Sequence, residues 1–176
     1  MRASRLFAFA GVVIAVVAAP AALASGRAAH ATEVRALDTG VLQQLNAIRT
    51  AHRLVPLKLN AALSTAARGH STEMLADGYF THNSFNGSPF WKRLTGYTNG
   101  ARTGYWSVGE NLLWSSPDVD ATKALQLWMA SPEHRQNILT PRWREIGIAA
   151  IHADSAPGTY AGNAATVITT DFGVRG

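Results

Sequence analysis

Trp106-Ser107-Val108-Gly109-Glu110-Asn111-Leu112-Leu113-Trp114 reads as a β-strand, and the rest of the chain can be arranged around it. Trp106, Val108, Leu112 and Trp114 recur at every second position, which places them on one strand face. Glu110 falls in the same alternation. A regular strand would therefore aim a carboxylate into apolar surroundings, where it is costly unless paired, hydrogen-bonded or bound to a metal. The alternative is a bulge beside Gly109 that turns Glu110 out to water.

Before this strand the chain is helical. Val41, Leu42, Leu45 and Ile48 recur at three- and four-residue spacing, predicting an amphipathic helix that ends near His52. Pro56 separates it from a second helix with Asn60 as N-cap and Gly78 as terminator. The inward stripe of that helix is Leu63, Ala67, His70 and Met74. Tyr79 to Asn99 is rich in aromatics, glycine and asparagine and reads as a structured loop with a short helix from Pro89 to Leu94. After the strand, Pro117 to Ala130 reads as a third helix carrying Ala124, Leu127 and Trp128 on one side. Ser131-Pro132 opens a fourth, with serine at the cap and proline at the first helical position. Ile146 to His152 and Ala164 to Phe172 read as two strands joined by the turn Ser155 to Gly162. Helices first and strands later argue for an α+β fold, with helices on a mainly antiparallel sheet.

The 176 residues suit one domain, and 47% hydrophobic against 15% charged residues exclude extensive disorder. No cysteine is present, which removes disulfides, thiolate nucleophiles and cysteine-ligated metals. Arg2 and Arg5, the apolar run Leu6 to Ala19 and the small residues Ala22-Leu23-Ala24 predict a secretory signal peptide over residues 1–24, cleaved after Ala24. A secreted protein with no permanent membrane anchor follows from that reading. Residues 25–35 read as a flexible leader and 36–176 as the domain. Two of the arginines behind the formal charge of +5 belong to the signal segment, and the other basic residues are scattered, so no nucleic-acid surface is expected.

His82 in the aromatic loop, Glu110 on the strand and His134 in the first turn of the fourth helix are the candidate site. Two histidines and a carboxylate from separate segments are a common zinc set. His70 and Glu73, three residues apart on the second helix, are compatible with a metal site, but His70 shares its stripe with Leu63 and Met74 and reads as a core histidine. No zinc-protease, nucleophile-elbow or phosphate-loop motif is present.

Several segments together resemble one family. They are Leu45-Asn46-Ala47-Ile48-Arg49, Ala66 to Met74, Phe80-Thr81-His82-Asn83, Gly109-Glu110-Asn111-Leu112, Trp128 to Leu139, Ile146-Gly147-Ile148 and Thr170-Asp171-Phe172-Gly173. In this order they resemble the CAP superfamily (SCP domain) of cysteine-rich secretory, venom-allergen and pathogenesis-related proteins, in a short cysteine-free bacterial form. The resemblance covers roughly Ala36 to Gly173. It implies a three-layer α-β-α sandwich whose central cleft holds two histidines and two glutamates able to bind a divalent metal, zinc foremost. His82, Glu110 and His134 match three of these positions. The second glutamate is replaced by Ser131, with Glu133 a displaced substitute.

The resemblance also implies binding of small hydrophobic or lipid-like ligands and protein contacts rather than one reaction. The expected function is thus a secreted binding module with a metal or small-ligand cleft. One alternative is a zinc-dependent hydrolase with Glu110 as ligand or general base. Another is a cell-wall-associated structural or interaction protein that contacts a cell-envelope component.

Overall fold

The computed structural model describes residues 29–99 and 104–176. The expected signal peptide and its cleavage point lie outside these residues. Strand β1 is Ala29–Glu33, followed by α1 (Arg35–Ala51), the short β2 (Lys58–Leu59) and α2 (Ala61–Asp77). A 3-10 turn at Phe90–Leu94 leads into α3 (Thr95–Thr98). Then come β3 (Trp106–Ser115), α4 (Ala121–Ala130), α5 (Pro132–Ile138), β4 (Glu145–Ser155) and β5 (Ala165–Arg175).

The sheet runs β1-β4-β5-β3, antiparallel throughout, with β2 added in parallel to β4. One face meets α1 and α4 through Val41, Leu45, Leu125 and Trp128, which pack with Leu113, Ile146, Ile148 and Phe172. The other face meets α2 through Met74 and Leu75, with Leu112, Trp114, Ile151 and Val167. Helices on both faces make the α-β-α sandwich. Leu112 and Leu113 go to opposite clusters, as strand alternation requires.

Local chemistry explains the helix ends. The Asn60 side chain accepts from the amides of Ala62 and Leu63, and Gly78 ends α2 in the left-handed conformation at φ 71°. A side chain at Gly78 would also meet the Pro157 backbone at 2.8 Å. The third helix starts at Ala121 rather than Pro117, because the Asp120 carboxylate accepts from Lys123 N at 2.7 Å and sets the first turn there. Ser131 does occupy the cap position of α5, but its hydroxyl makes no capping bond; it donates to Glu133 at 3.3 Å instead.

The expected leader over residues 25–35 is corrected in its last part. Ala31 pairs with Ala153 and Glu33 with Ile151, so Ala29–Glu33 is an edge strand, and α1 already begins at Arg35. The edge of β4 is completed by main-chain groups of a small, polar segment. That pairing needs no hydrophobic alternation and leaves no sign in the side chains.

Gly147 sets how closely α2 lies on the sheet. A Cβ there would stand 2.1 Å from the Leu63 carbonyl carbon and 2.3 Å from Ser64 N, both backbone atoms that cannot turn aside. Gly147→Ala is expected to push α2 outward and cost about 1–3 kcal/mol. Urea unfolding would measure this, and a wild-type midpoint would show that the helix has room to move.

Candidate functional site

The ladder between β3 and β5 is unbroken from Trp106↔Arg175 to Ser115↔Thr166, so no bulge rotates Glu110. Its side chain is fully buried on the α2 face. Both oxygens are engaged: Oε1 lies 2.8 Å from His82 Nδ1, and Oε2 accepts from Arg93 Nη2 at 2.5 Å. Arg93, from the 3-10 turn, also donates through Nη1 to the His82 carbonyl at 2.9 Å and to Ser84 Oγ at 3.2 Å. One guanidinium thus ties the carboxylate to the loop that carries the histidine.

His70 anchors the same loop from below. It is buried on α2, and its Nε2 meets the Thr81 carbonyl at 2.9 Å. Burial pushes its pKa down, so it sits neutral and donates that bond. The core reading of His70 therefore holds, with a role in positioning His82. Glu73, 3.5 Å from His70 Nδ1, takes the Tyr79 hydroxyl at 2.5 Å.

Asp171 is a member that the sequence reading missed. It stands directly opposite Glu110 on β5, on the same face, and is fully buried. Neither oxygen has a hydrogen-bond donor among the described residues. Burial, then the Glu110 charge, push its pKa well above the usual carboxylate range. For Glu110, burial pushes upward, but the His82 hydrogen bond and the Arg93 charge prevail and hold it low. The two acids are therefore unlike: Glu110 is ionised, and Asp171 is a neutral acid able to donate to it.

His134 comes from the other side of β3. Asn111, next to Glu110 and on the opposite face, donates to the His134 carbonyl at 3.1 Å. Asn137, one turn further along α5, donates to the Glu110 carbonyl and to Asn111 Oδ1, each at 2.9 Å, and its own carbonyl accepts from Trp143 Nε1. The helix is thus docked on β3, the terminal strand of the sheet, whose two faces carry Glu110 and Asn111. The His134 ring is buried, with no hydrogen-bond partner at either nitrogen among the described residues. Burial first, then the charge of His82, push its pKa down to about 4, while Glu133 opposes weakly. His134 is consequently a neutral imidazole inside the electrostatic reach of His82. Ser131 offers no carboxylate, and Glu133 is exposed with its oxygen bound to Ser131.

The donor set suits a cation in a limited way. Among the described residues, no three His, Asp or Glu side chains are gathered closely enough to hold a metal together. Glu110 holds Nδ1 of His82, which is the position of a carboxylate behind a metal-binding imidazole. His134 has orphaned nitrogens, and buried ring nitrogens without partners are costly unless something meets them. Arg93 and Asp171 have no counterpart in the site expected from the sequence. Asp171 was open to the same alternation test as Glu110, since Ala165, Val167, Thr169 and Asp171 share one face. Arg93 lies in no pattern that separates it from a surface arginine.

The fold and this β3-centred constellation define an SCP-type domain. The sequence profile of the CAP (cysteine-rich secretory protein) family matches residues 42–169, and the chain belongs to that family. It is 31% identical over 125 residues to the uncharacterised protein YkwD of Bacillus subtilis (strain 168), covering 70% of this chain and 46% of YkwD. Among solved structures, an extracellular SCP-domain protein of Bacillus anthracis str. Ames aligns with TM-score 0.61 at 26% identity, over 81% of this chain and 41% of that one. An outer surface protein of Borrelia burgdorferi shares the fold, with TM-score 0.67 at 16% identity over 84% and 99% of the two chains. The chain spans less than half the length of YkwD.

Proposed function

We propose that this protein is an extracellular binding module whose cleft holds a divalent cation, zinc by its ligand chemistry, between the imidazoles of His82 and His134. The observation that carries the proposal is His134: a buried, neutral ring with both nitrogens unpartnered among the described residues, within electrostatic reach of a histidine that a carboxylate already orients. A neutral imidazole offers a lone pair, and the carboxylate-histidine pair is the usual support of such a ligand. Glu110 acts as that support, because its oxygens are taken by His82 and Arg93. The cation would supply a Lewis-acid point to which a small polar or lipid-like ligand attaches.

The hydrolase alternative asks Glu110 to act as a general base, for which two engaged oxygens and a lowered pKa suit it poorly. The extracellular setting is supported by the basic, apolar and small-residue pattern of residues 1–24, and by structural neighbours described as extracellular or outer-surface. No helix among the described residues is long and apolar enough to cross a membrane.

Calorimetric titration of tag-free protein with zinc chloride at neutral pH tests the proposal. One ion per chain is expected, lost in His82→Ala and His134→Leu and weakened roughly 10–100-fold in Glu110→Gln. Wild-type affinity in both histidine variants would end the proposal.

A further inference from the structure

At the opposite edge of the sheet from β3 lies a pocket of about 460 Å³, whose lining includes none of His82, Glu110 and His134. That size is typical of a small-ligand site. It occupies a gap in the sheet edge. β2 follows β4 only as far as Leu59, opposite Ile146, and β1 returns only at Glu33, opposite Ile151. Between them Ile148 lines the pocket floor.

The main-chain directions along β4 follow from its neighbours. The Ile146 carbonyl accepts from Asn60 N, the Ala150 carbonyl accepts from Val34 N, and Ala150 N donates to Asp38 Oδ1 at 2.7 Å. Residues 146 and 150 therefore direct their polar groups away from β5, and the period of two does the same for Ile148. Its N–H and C=O face the gap, and neither β1 nor β2 reaches them.

The walls supply complementary chemistry. Leu42 of α1 and Leu59 of β2 are apolar, and Leu59 is largely exposed. Arg68 of α2 and Arg35 of α1 stand at the rim, both drawn in by Glu33, at 2.7 Å and 3.5 Å. Glu33 divides one carboxylate between two guanidinium groups, so the rim keeps donor capacity; with Asp38 ionised the four charged groups balance, and the pocket turns positive when Asp38 takes up a proton.

We infer that this pocket captures the carboxyl terminus of a short peptide. The N–H and C=O of Ile148, which β1 and β2 leave without a strand partner at the pocket floor, pair with the peptide's last amide, Arg68 and Arg35 take its carboxylate, and Leu42 and Leu59 receive an aliphatic side chain. Pairing with an open strand edge gives affinity to an extended peptide, and guanidinium groups favour a carboxylate. The other charged group facing this site is Asp38, whose pKa burial pushes up to about 6, with Glu33 adding to the rise and Arg68 and Arg35 opposing it. A peptide carboxylate stays ionised between pH 7 and pH 5, while Asp38 loses its repelling charge over that interval. Binding should therefore tighten several-fold as pH falls through about 6.

The test uses acetyl-Ala-Val-Leu with a free carboxyl terminus, and the same peptide amidated, titrated into isotopically labelled protein. The free acid is expected to shift the Ile148 amide and the Leu42 and Leu59 methyl signals, with the amidated peptide binding roughly ten- to a hundredfold more weakly. Arg68→Gln and the surface variant Leu59→Ser should each weaken the free acid at least several-fold while melting as wild type does. Equal binding of acid and amide, shifts that appear only around His82, or no shift at millimolar peptide would each overturn the inference. Because the pocket lining includes none of His82, Glu110 and His134, loss of zinc binding in the histidine variants would leave this result untouched.

Discussion

Replacing Arg93 with alanine is expected to destabilise the protein by about 3–5 kcal/mol, the cost of breaking a buried ion pair from one side. The reason is the company Glu110 keeps. It is fully buried, faces a second acid across the ladder, and has Arg93 as its charged partner at 2.5 Å. Without the guanidinium, the carboxylate must be buried with its hydrogen bond to His82 but no arginine charge to compensate, or take up a proton. The loop loses its bonds at the His82 carbonyl and Ser84 as well.

A second replacement, Glu110→Gln, should recover part of the loss, because it removes the charge that Arg93 neutralises. Urea melts of the single and double variants measure both terms. A loss below about 1 kcal/mol in Arg93→Ala would mean that Glu110 does not depend on it. The pH profile carries a matching sign. Glu110, lowered in the folded state, contributes stability above its ordinary range that is lost as pH falls through the folded value. Asp171, raised, contributes in the opposite sense: its share is present in acid and is lost as pH rises above its unfolded value.

Trp128→Ala is expected to cost about 3–5 kcal/mol, whereas His134→Leu, six residues later, should cost almost nothing or stabilise. Trp128 is fully buried between α1 and the sheet, and its Nε1 donates to the Leu112 carbonyl at 3.0 Å. Truncation removes the ring and leaves that carbonyl without its donor. His134 is equally buried, but its polar atoms bring no hydrogen bond to the fold among the described residues. An apolar side chain of similar size removes two unmet polar groups. Thermal melts decide the contrast, and an equal fall in both variants would make His134 a packing residue rather than a ligand.

Much of this arrangement was legible in the sequence wherever a side-chain rule applied. Alternation along Trp106–Trp114 put Glu110 inside, and Asn60 with Gly78 marked both ends of α2. The resemblance named His82, Glu110 and His134 as one site, which spacing alone does not define; of these, His82 and Glu110 are in direct contact. What escaped was arranged by the main chain or by distance. β1 is held through backbone pairing. Arg93 reaches Glu110 from a loop seventeen positions away. Asp171 became visible only when β3 and β5 were aligned residue by residue.

The docking of α5 has a practical consequence. Asn137 and Ile138 seat the helix from beneath, and Asn111 grips the main chain of His134 rather than its ring. Glu133, Arg135 and Gln136 are left on the open side, with no part in that seating. These three positions amount to an interchangeable faceplate around a fixed imidazole. For the proposed cation site, a library randomised at them is expected to change what approaches His134 while the seating of α5 on β3 stays as it is.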